Sequence, residues 1–146
     1  SLNDYVNEIV RSYKKISKKE FVINLESYKN PINISKSVEI IYGLRNFIGN
    51  ANKFSKSKVF INLKSDNNFT EITIEDDGEG YPSDILSKIG EPYLKSTDKN
   101  SGLGLGLFIG KTLLEKNFAI VNCWNSQTRS GAEVTIKWKN KDLFNL

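Results

Sequence analysis

The chain has 146 residues, 38% of them hydrophobic and 26% charged, and its formal net charge is +4. These values are typical of one globular domain that buries its own core, and they exclude a disordered or disulfide-stapled chain. The lysines are scattered among serines and acids instead of lying in a basic run between aromatics, so we expect no binding to nucleic acid.

Cysteine and histidine usage bounds the chemistry further. The single Cys123 has no partner for an internal disulfide, and the lack of histidine removes a Cys/His metal site. A reducing compartment is therefore expected. No stretch of about 18 apolar residues exists, so we expect no membrane contact. The chain begins at Ser1 and contains no methionine, and we interpret residues 1–146 as one domain excised from a longer protein.

The predicted elements, in chain order, are helices and strands in irregular alternation. Apolar residues spaced by three and four predict the helices, and apolar alternation predicts the strands. The expected elements are a helix over 2–16, a strand over 21–25, a short strand end at 32–34, a helix from Ser35 or Ser37 to Phe54, strands over 59–63 and 69–75, a short helix over 84–89 capped by Ser83, a polar and mobile loop over 90–102, a helix over 105–116, and strands over 119–124 and 133–138.

Two antiparallel hairpins, 59–75 and 119–138, with long amphipathic helices between them predict an α+β fold. We expect a two-layer α/β sandwich in which a mixed sheet is covered on one face by three helices.

The first motif that carries chemistry is Asp76-Asp77-Gly78-Glu79-Gly80, directly after a predicted strand. A carboxylate at a strand end, followed by two glycines, places an acceptor beside backbone that a ligand can approach closely. An Asp-Gly pair after a strand is more often only a turn. The motif alone leaves both interpretations open.

The second motif is a pair of asparagines inside the helix that ends at Phe54. Asn46, Asn50 and Lys53 lie at i, i+4 and i+7, on one side of this helix. Asparagine is unfavourable inside helices, so two of them incur that cost twice. They either form a solvated polar face or present amide oxygens to a hard cation, with Lys53 near a phosphate.

The third motif is Gly102-Leu103-Gly104-Leu105-Gly106, immediately before a predicted helix. Several backbone N–H groups at a helix N-terminus bind phosphate. The motif does not follow a strand and lacks the Gly-Lys-Ser/Thr ending, so it matches neither the dinucleotide fingerprint nor Walker A. A flexible linker is the alternative, but alternating leucines make a poor linker.

Together these motifs resemble the ATP-binding catalytic domain of sensor histidine kinases, in the wider family that includes gyrase, Hsp90 and MutL and has the Bergerat fold. The N box is matched by residues 45–54, the G1 box by 76–80, the F box by Pro92-Tyr93 and the G2 box by 102–106. Residues 39–46, 90–93 and 102–109 are similar to the redox-responding RegB/PrrB sensor kinases.

The resemblance implies a role for each matched position. Asp76 would accept the adenine amino group with help from Thr135, while Gly78 and Gly80 would let the backbone close on the base. Asn50 would ligate Mg²⁺ beside Asn46. Lys53 would approach the phosphates and Phe54 would flank the base. The triphosphate would be wrapped by the G2 box beneath a lid over residues 90–103. The remaining ATP-binding positions are Tyr93, Gly102, Leu103, Gly104, Leu105 and Gly106. Tyr93 stands where many relatives have Phe, and Leu103 where many have Thr.

The resemblance also implies partners. The domain would bind ATP-Mg²⁺ and donate the γ-phosphoryl group to a histidine on the parent kinase's dimerisation domain, because this chain has no histidine. A response regulator would follow in a two-component phosphorelay. We expect a monomeric cytoplasmic domain, with its parent anchored in the bacterial inner membrane. The alternatives are an ATP-hydrolysing switch of the gyrase/Hsp90/MutL kind and a non-catalytic nucleotide-binding module.

Overall fold

A computed structural model describes residues 1–29, 31, 33–34, 37–87 and 103–144, with the side chains of 103–105 left out of the description. The helices and strands of this part are α1 Leu2–Lys14, β1 Glu20–Tyr28, α2 Val38–Phe54, β2 Lys58–Ser65, β3 Phe69–Asp76, α3 Ser83–Leu86, α4 Leu103–Lys116, β4 Ile120–Asn125, β5 Ala132–Lys139 and α5 Asn140–Phe144.

The strands form one mixed sheet in the order β1-β2-β3-β5-β4. β1 and β2 are parallel, because α2 carries the chain back across the sheet between them, and the other neighbouring strands are antiparallel. β3 lies at the centre, with β2 and β5 on either side. The predicted mixed sheet and both predicted hairpins are confirmed.

One face of the sheet is apolar and carries α1, α2 and α4, as the α+β sandwich prediction expected. Alternate residues of β2, β3 and β5 point to this inner face and are buried, because side chains along a strand point to opposite faces. They are Val59, Ile61, Leu63, Ile72, Ile74, Val134, Ile136 and Trp138. The opposite, outer face is polar, and the core therefore lies between the sheet and the three helices.

The two helices that frame the candidate site approach each other at glycines. A Cβ on Gly43 of α2 would lie 2.6 Å from Cγ of Leu114, and a Cβ on Gly110 of α4 would lie 2.8 Å from Cε2 of Phe47. Both neighbours are fully buried and cannot move aside. The missing side chains let α2 and α4 pack closely, which fixes the start of α4 beside the second half of α2.

Several element boundaries differ from the sequence prediction. α1 ends at Lys14, two residues early, and β1 extends three residues past the predicted strand end. Ser37 is the N-cap of α2, with its Oγ accepting a hydrogen bond from the Ile40 N–H at 3.2 Å.

Other predicted elements are only partly covered by the description. α3 ends at Leu86 and α5 was not predicted. Residues 33–34 form no strand, while Ser35, the whole of the predicted loop 90–102 and the last residues of the 84–89 helix lie outside the described residues. Among the described helices, none combines the length and apolar character needed to cross a membrane.

Candidate functional site

A cavity of about 260 Å³ opens between the second half of α2 and the end of β3. Three parts of the chain form its walls: α2, the glycine loop of residues 76–81, and the start of β5. The lining residues that concern the site are Phe47, Asn50, Phe54, Lys56, Ile74, Asp76, Gly78, Glu79, Gly80, Tyr81, Ala132 and Val134. The cavity is apolar on most sides with a few polar groups, which is typical of a small-molecule site.

Asp76 is the buried carboxylate of this cavity, only 3% exposed. It ends β3 on the inner face, so it continues the apolar row of Ile72 and Ile74 as a polar residue. Its Oδ1 accepts hydrogen bonds from the N–H of Gly78 at 2.8 Å and of Ala132 at 3.3 Å. Burial raises the pKa of Asp76, and these two hydrogen bonds oppose that rise only in part. The two hydrogen bonds to Oδ1 orient the carboxylate, which lines the cavity.

Glycines let the backbone close around Asp76. A Cβ on Gly78 would collide with the carbonyl oxygen of Phe54, and a Cβ on Gly131 would collide with the carbonyl oxygen of Asp76. Gly80 has a φ of +84°, a conformation that residues with a side chain rarely adopt. The loop therefore presents bare backbone to the cavity, which agrees with the ligand interpretation of the motif, one of the two that the sequence left open.

The neighbouring Asp77 has a different task. Its Oδ1 accepts from the N–H groups of Lys56, Ser57 and Lys58, and its Oδ2 accepts from the Ser57 hydroxyl at 2.8 Å. Burial raises the pKa of Asp77, but the four hydrogen bonds together outweigh burial and hold this pKa well below its usual range. Asp77 ties the glycine loop to the start of β2 and does not line the cavity.

Asn50 reaches the cavity from α2, opposite the first turns of α4. A Cβ on Gly106 would lie 3.3 Å from Nδ2 of Asn50 and 3.5 Å from Oδ1. The Nδ2 atom is buried, and within the described part of the chain it has no hydrogen-bond partner. A buried polar atom without a partner destabilises the free protein, so this amide is a candidate for contact with a bound ligand.

The other predicted residues of α2 are arranged differently. Asn46 donates a hydrogen bond from Nδ2 to the carbonyl oxygen of Tyr42 at 2.8 Å, so its amide is directed back along the helix. Phe54 lines the cavity, whereas Lys53 is exposed and its Nζ lies 5.2 Å from the centre of the Phe54 ring. Among Asn46, Asn50 and Lys53, the structure brings only Asn50 into the cavity wall.

Thr135 is not brought to the site. β3 and β5 pair so that Thr135 faces Thr73 on the outer face, while Val134 and Asp76 lie on the inner face with the cavity. Because successive strand residues point to opposite faces, the sheet itself separates Thr135 from Asp76. We therefore remove Thr135 from the candidate adenine-binding residues.

The remaining predicted positions lie at or beyond the edge of the description. Tyr93 and Gly102 lie outside the described residues. Leu103, Gly104 and Leu105 form the first turn of α4, of which the backbone alone is described, and Gly106 follows them beside Asn50. The start of α4 is thus at the cavity end that holds Asn50.

Sequence reasoning missed several residues of the site. Tyr81 and Lys56 line the cavity, and Ala132 binds Asp76 through its N–H. Gly131 packs against Asp76. Gly131, two residues before the predicted strand 133–138, was the only local signal for the last two, since Asp76 is about 55 residues away in the chain.

Comparison with known proteins identifies the family. Residues 36–142 match the family described as histidine kinase-, DNA gyrase B-, and HSP90-like ATPase. The chain is 37% identical to the sensor histidine kinase RegB of Cereibacter sphaeroides, over 72% of this chain and 27% of RegB. The chain belongs to this ATPase family, as the motifs predicted, and the curated relative it matches is a sensor histidine kinase.

Solved structures give the same fold. The mycobacterial sensor histidine kinase MprB superposes with a TM-score of 0.75 at 22% identity, covering 94% of this chain and 93% of that one. Full-length ShkA in complex with AMPPNP superposes with a TM-score of 0.71 at 20% identity, covering 94% of this chain and 30% of ShkA. These likenesses confirm the Bergerat fold. The chain spans only about a quarter of the length of RegB.

Proposed function

We propose that this chain is the ATP-Mg²⁺-binding catalytic domain of a two-component sensor histidine kinase. It would donate the γ-phosphoryl group of ATP to a histidine on the parent's dimerisation domain. That histidine would then pass the phosphoryl group to a response regulator. The observation that carries the proposal is Asp76: a buried carboxylate, oriented by two backbone N–H groups, at the wall of an otherwise largely apolar cavity.

In this proposal the base lies against Asp76. The carboxylate accepts the adenine amino group, the glycine loop covers one side of the ring, and Phe54 covers the other. The apolar wall of Ile74 and Val134 excludes water from the base, which strengthens the hydrogen bond to Asp76.

The phosphates extend from this cavity toward Asn50 and the start of α4. Backbone N–H groups of the first turn, residues 103–106, would meet phosphate oxygens there, since the first donors of a helix have no partner within the helix. Lys53 and Lys56 add positive charge at this end of α2. Phosphoryl transfer requires mainly positioning and charge neutralisation, which these groups supply.

Asn50 fits the expected Mg²⁺. The buried amide has a nitrogen without a partner among the described residues, and turning the amide over puts its oxygen in that position. Oxygen is the ligand that Mg²⁺ prefers. When bound, the ion would neutralise charge on the phosphates. Asn46 is one turn away, with its Nδ2 occupied by Tyr42.

The arrangement favours transfer to an acceptor over hydrolysis. The resemblance puts a Glu general base at position 46 in hydrolysing relatives, and an asparagine amide cannot take a proton at neutral pH. Glu39, the nearest acid upstream on α2, is bound to Lys116 and Asn117 at the far end of α4. Ten residues of helix separate Gly106 from Lys116, which is about 15 Å. Glu39 therefore cannot replace the missing base.

The test is to measure phosphate release from ATP-Mg²⁺ by the 146-residue chain, then add the parent's histidine-bearing domain and follow labelled phosphate. We expect negligible steady-state hydrolysis and acid-labile, base-stable labelling of the added domain. Rapid hydrolysis without labelling would replace the kinase by the ATPase alternative. ATP binding with neither reaction would favour the non-catalytic module.

The surroundings of the domain follow from the same proposal. ATP and response regulators are cytoplasmic, so we place the domain on the cytoplasmic side of the inner membrane that would anchor its parent. The isolated residues 1–146 would be a single monomeric domain that binds no nucleic acid. Size-exclusion chromatography with light scattering tests the monomer.

A further inference from the structure

The side chain of Asn125 pairs with both backbone polar groups of Tyr81. Its Oδ1 accepts a hydrogen bond from the Tyr81 N–H at 2.6 Å, and its Nδ2 donates to the Tyr81 carbonyl at 3.2 Å. The two residues are 44 positions apart in the sequence. The amide side chain of Asn125 thus satisfies both the backbone N–H and the backbone C=O of one residue, as the backbone of a paired strand would. This contact is a two-point attachment between distant parts of the chain.

The attached residue belongs to the wall of the cavity. Tyr81 is buried and directly follows Gly80, and both line the cavity with Asp76 and Gly78. A Cβ on Gly80 would lie 2.6 Å from Oδ1 of Asn125, so a residue with a side chain at position 80 would push the amide away. The glycine that favours close approach to a ligand therefore also admits Asn125.

Asn125 itself does not line the cavity, and it contacts the backbone of the cavity-lining Tyr81. It ends β4, where it pairs in register with Ala132, the residue whose N–H binds Asp76. The end of β4 and the start of β5 therefore contact both ends of the glycine loop, Asp76 through Ala132 and Tyr81 through Asn125. Ser130 adds a long contact in the middle, from its Oγ to the Gly78 carbonyl at 3.5 Å.

We propose that Asn125 is a positioning residue for base recognition. It holds the Gly80-Tyr81 backbone at the distance from Asp76 that the adenine ring requires. This inference rests on the proposed ATP-binding function and deepens it, since it assigns selectivity for the base to a residue that does not touch the ligand.

The experiment measures the Kd of the 146-residue chain for ATP and for ITP, which has a carbonyl where adenine has the amino group, both with Mg²⁺. For Asn125→Ala we expect ATP binding to weaken about fivefold, because the variant loses both hydrogen bonds to Tyr81 and water can replace them only in part. ITP binding should change less than twofold, so the preference for ATP falls. Asn125→Asp keeps the acceptor for the Tyr81 N–H and loses the donor, and it should give an intermediate preference.

Asn122→Ala is the matched control, because Asn122 is on the same strand and exposed on the outer face. It should leave both Kd values unchanged. Equal weakening of ATP and ITP by Asn125→Ala would mean a merely structural role and would overturn the inference. So would an unchanged ATP preference. If Asn125→Ala does not fold, the near-isosteric Asn125→Asp decides by the same ratio. A wild-type chain that binds neither nucleotide would instead refute the proposed function.

Discussion

Asn50 of α2 faces Gly106 of α4 so closely that a Cβ at position 106 would lie 3.3 Å from the Asn50 Nδ2. The atom is buried and has no partner among the described residues. The first turns of α4, where phosphates are proposed to bind, therefore meet the amide that is proposed to bind the metal. The two parts of the phosphate site depend on each other through this contact.

We expect Asn50→Ala to weaken the binding of ATP-Mg²⁺ without lowering the stability of the free protein. The free protein loses an unsatisfied amide and no hydrogen bond, so its free energy of unfolding should change by less than about 1 kcal/mol. The affinity for ATP in the presence of Mg²⁺ should fall about tenfold or more, whereas affinity in EDTA should change little. Calorimetric titration with and without Mg²⁺ measures both. Equal losses in the two conditions would exclude Asn50 as the metal ligand.

Asp76→Asn should weaken ATP binding and stabilise the free protein. The loss of a charged acceptor for the adenine amino group costs about 1.5–3 kcal/mol, which is tenfold to a hundredfold in Kd. The amide oxygen keeps the hydrogen bonds from Gly78 and Ala132 while the buried charge is removed. Titration calorimetry and urea unfolding measure the two effects. Unchanged ATP affinity would refute the adenine assignment.

The stabilisation by Asp76→Asn should also depend on pH. Burial raises the folded-state pKa of Asp76 above its unfolded value. The charged group therefore destabilises the native state at pH values above the raised pKa, and this penalty disappears as pH falls through it. The difference in unfolding free energy between the variant and wild type should shrink over that range. Asp77→Asn is the control of opposite sign, because the folded-state pKa of Asp77 is lowered. This variant should be less stable than wild type at neutral pH, and the difference in unfolding free energy should fade on acidification.

Gly43→Ala should destabilise the contact between α2 and α4. The new Cβ would lie 2.6 Å from Cγ of the fully buried Leu114, and overpacking of this kind costs about 1–3 kcal/mol. The matched control is Gly49→Ala on the same helix, where the Cβ would meet the hydroxyl of Tyr13. That hydroxyl ends a flexible side chain, so Gly49→Ala should be neutral or stabilising by up to about 1 kcal/mol. Urea unfolding of both variants decides. Equal effects would show that α2 and α4 are not tightly packed.

Cys123 should react slowly with iodoacetamide in the folded protein. Burial raises the pKa of its thiol to about 12, although Lys111 and the Tyr81 hydroxyl oppose the rise. Alkylation requires the thiolate, which is scarce at neutral pH with such a pKa. Mass spectrometry over time should show slow labelling at pH 7.5 and rapid labelling in urea. Labelling at similar rates in both would show that the thiol is accessible and its pKa unperturbed.

The sequence by itself determined the local parts of this protein. Asp76 with its glycines, the Asn46-Asn50-Lys53 helix and the glycine run before α4 are each contiguous or one helix turn apart. Local spacing therefore identified these motifs, and their resemblance to known motifs indicated the family. The periodicity of apolar residues likewise determined the α+β sandwich, because burial of one face imposes a period of two in strands and 3.6 in helices. Which of these polar residues face the cavity was beyond that information.

Tertiary structure decided the contacts between distant segments. Register between β3 and β5 is set by packing of the whole inner face, and a shift of one residue would exchange the two faces. This register puts Thr135 on the outer face and brings Ala132 and Gly131 to Asp76. It also brings Asn125 to Tyr81. Spacing in the sequence carries no record of such pairings, because they arise only when strands more than 40 residues apart share one sheet.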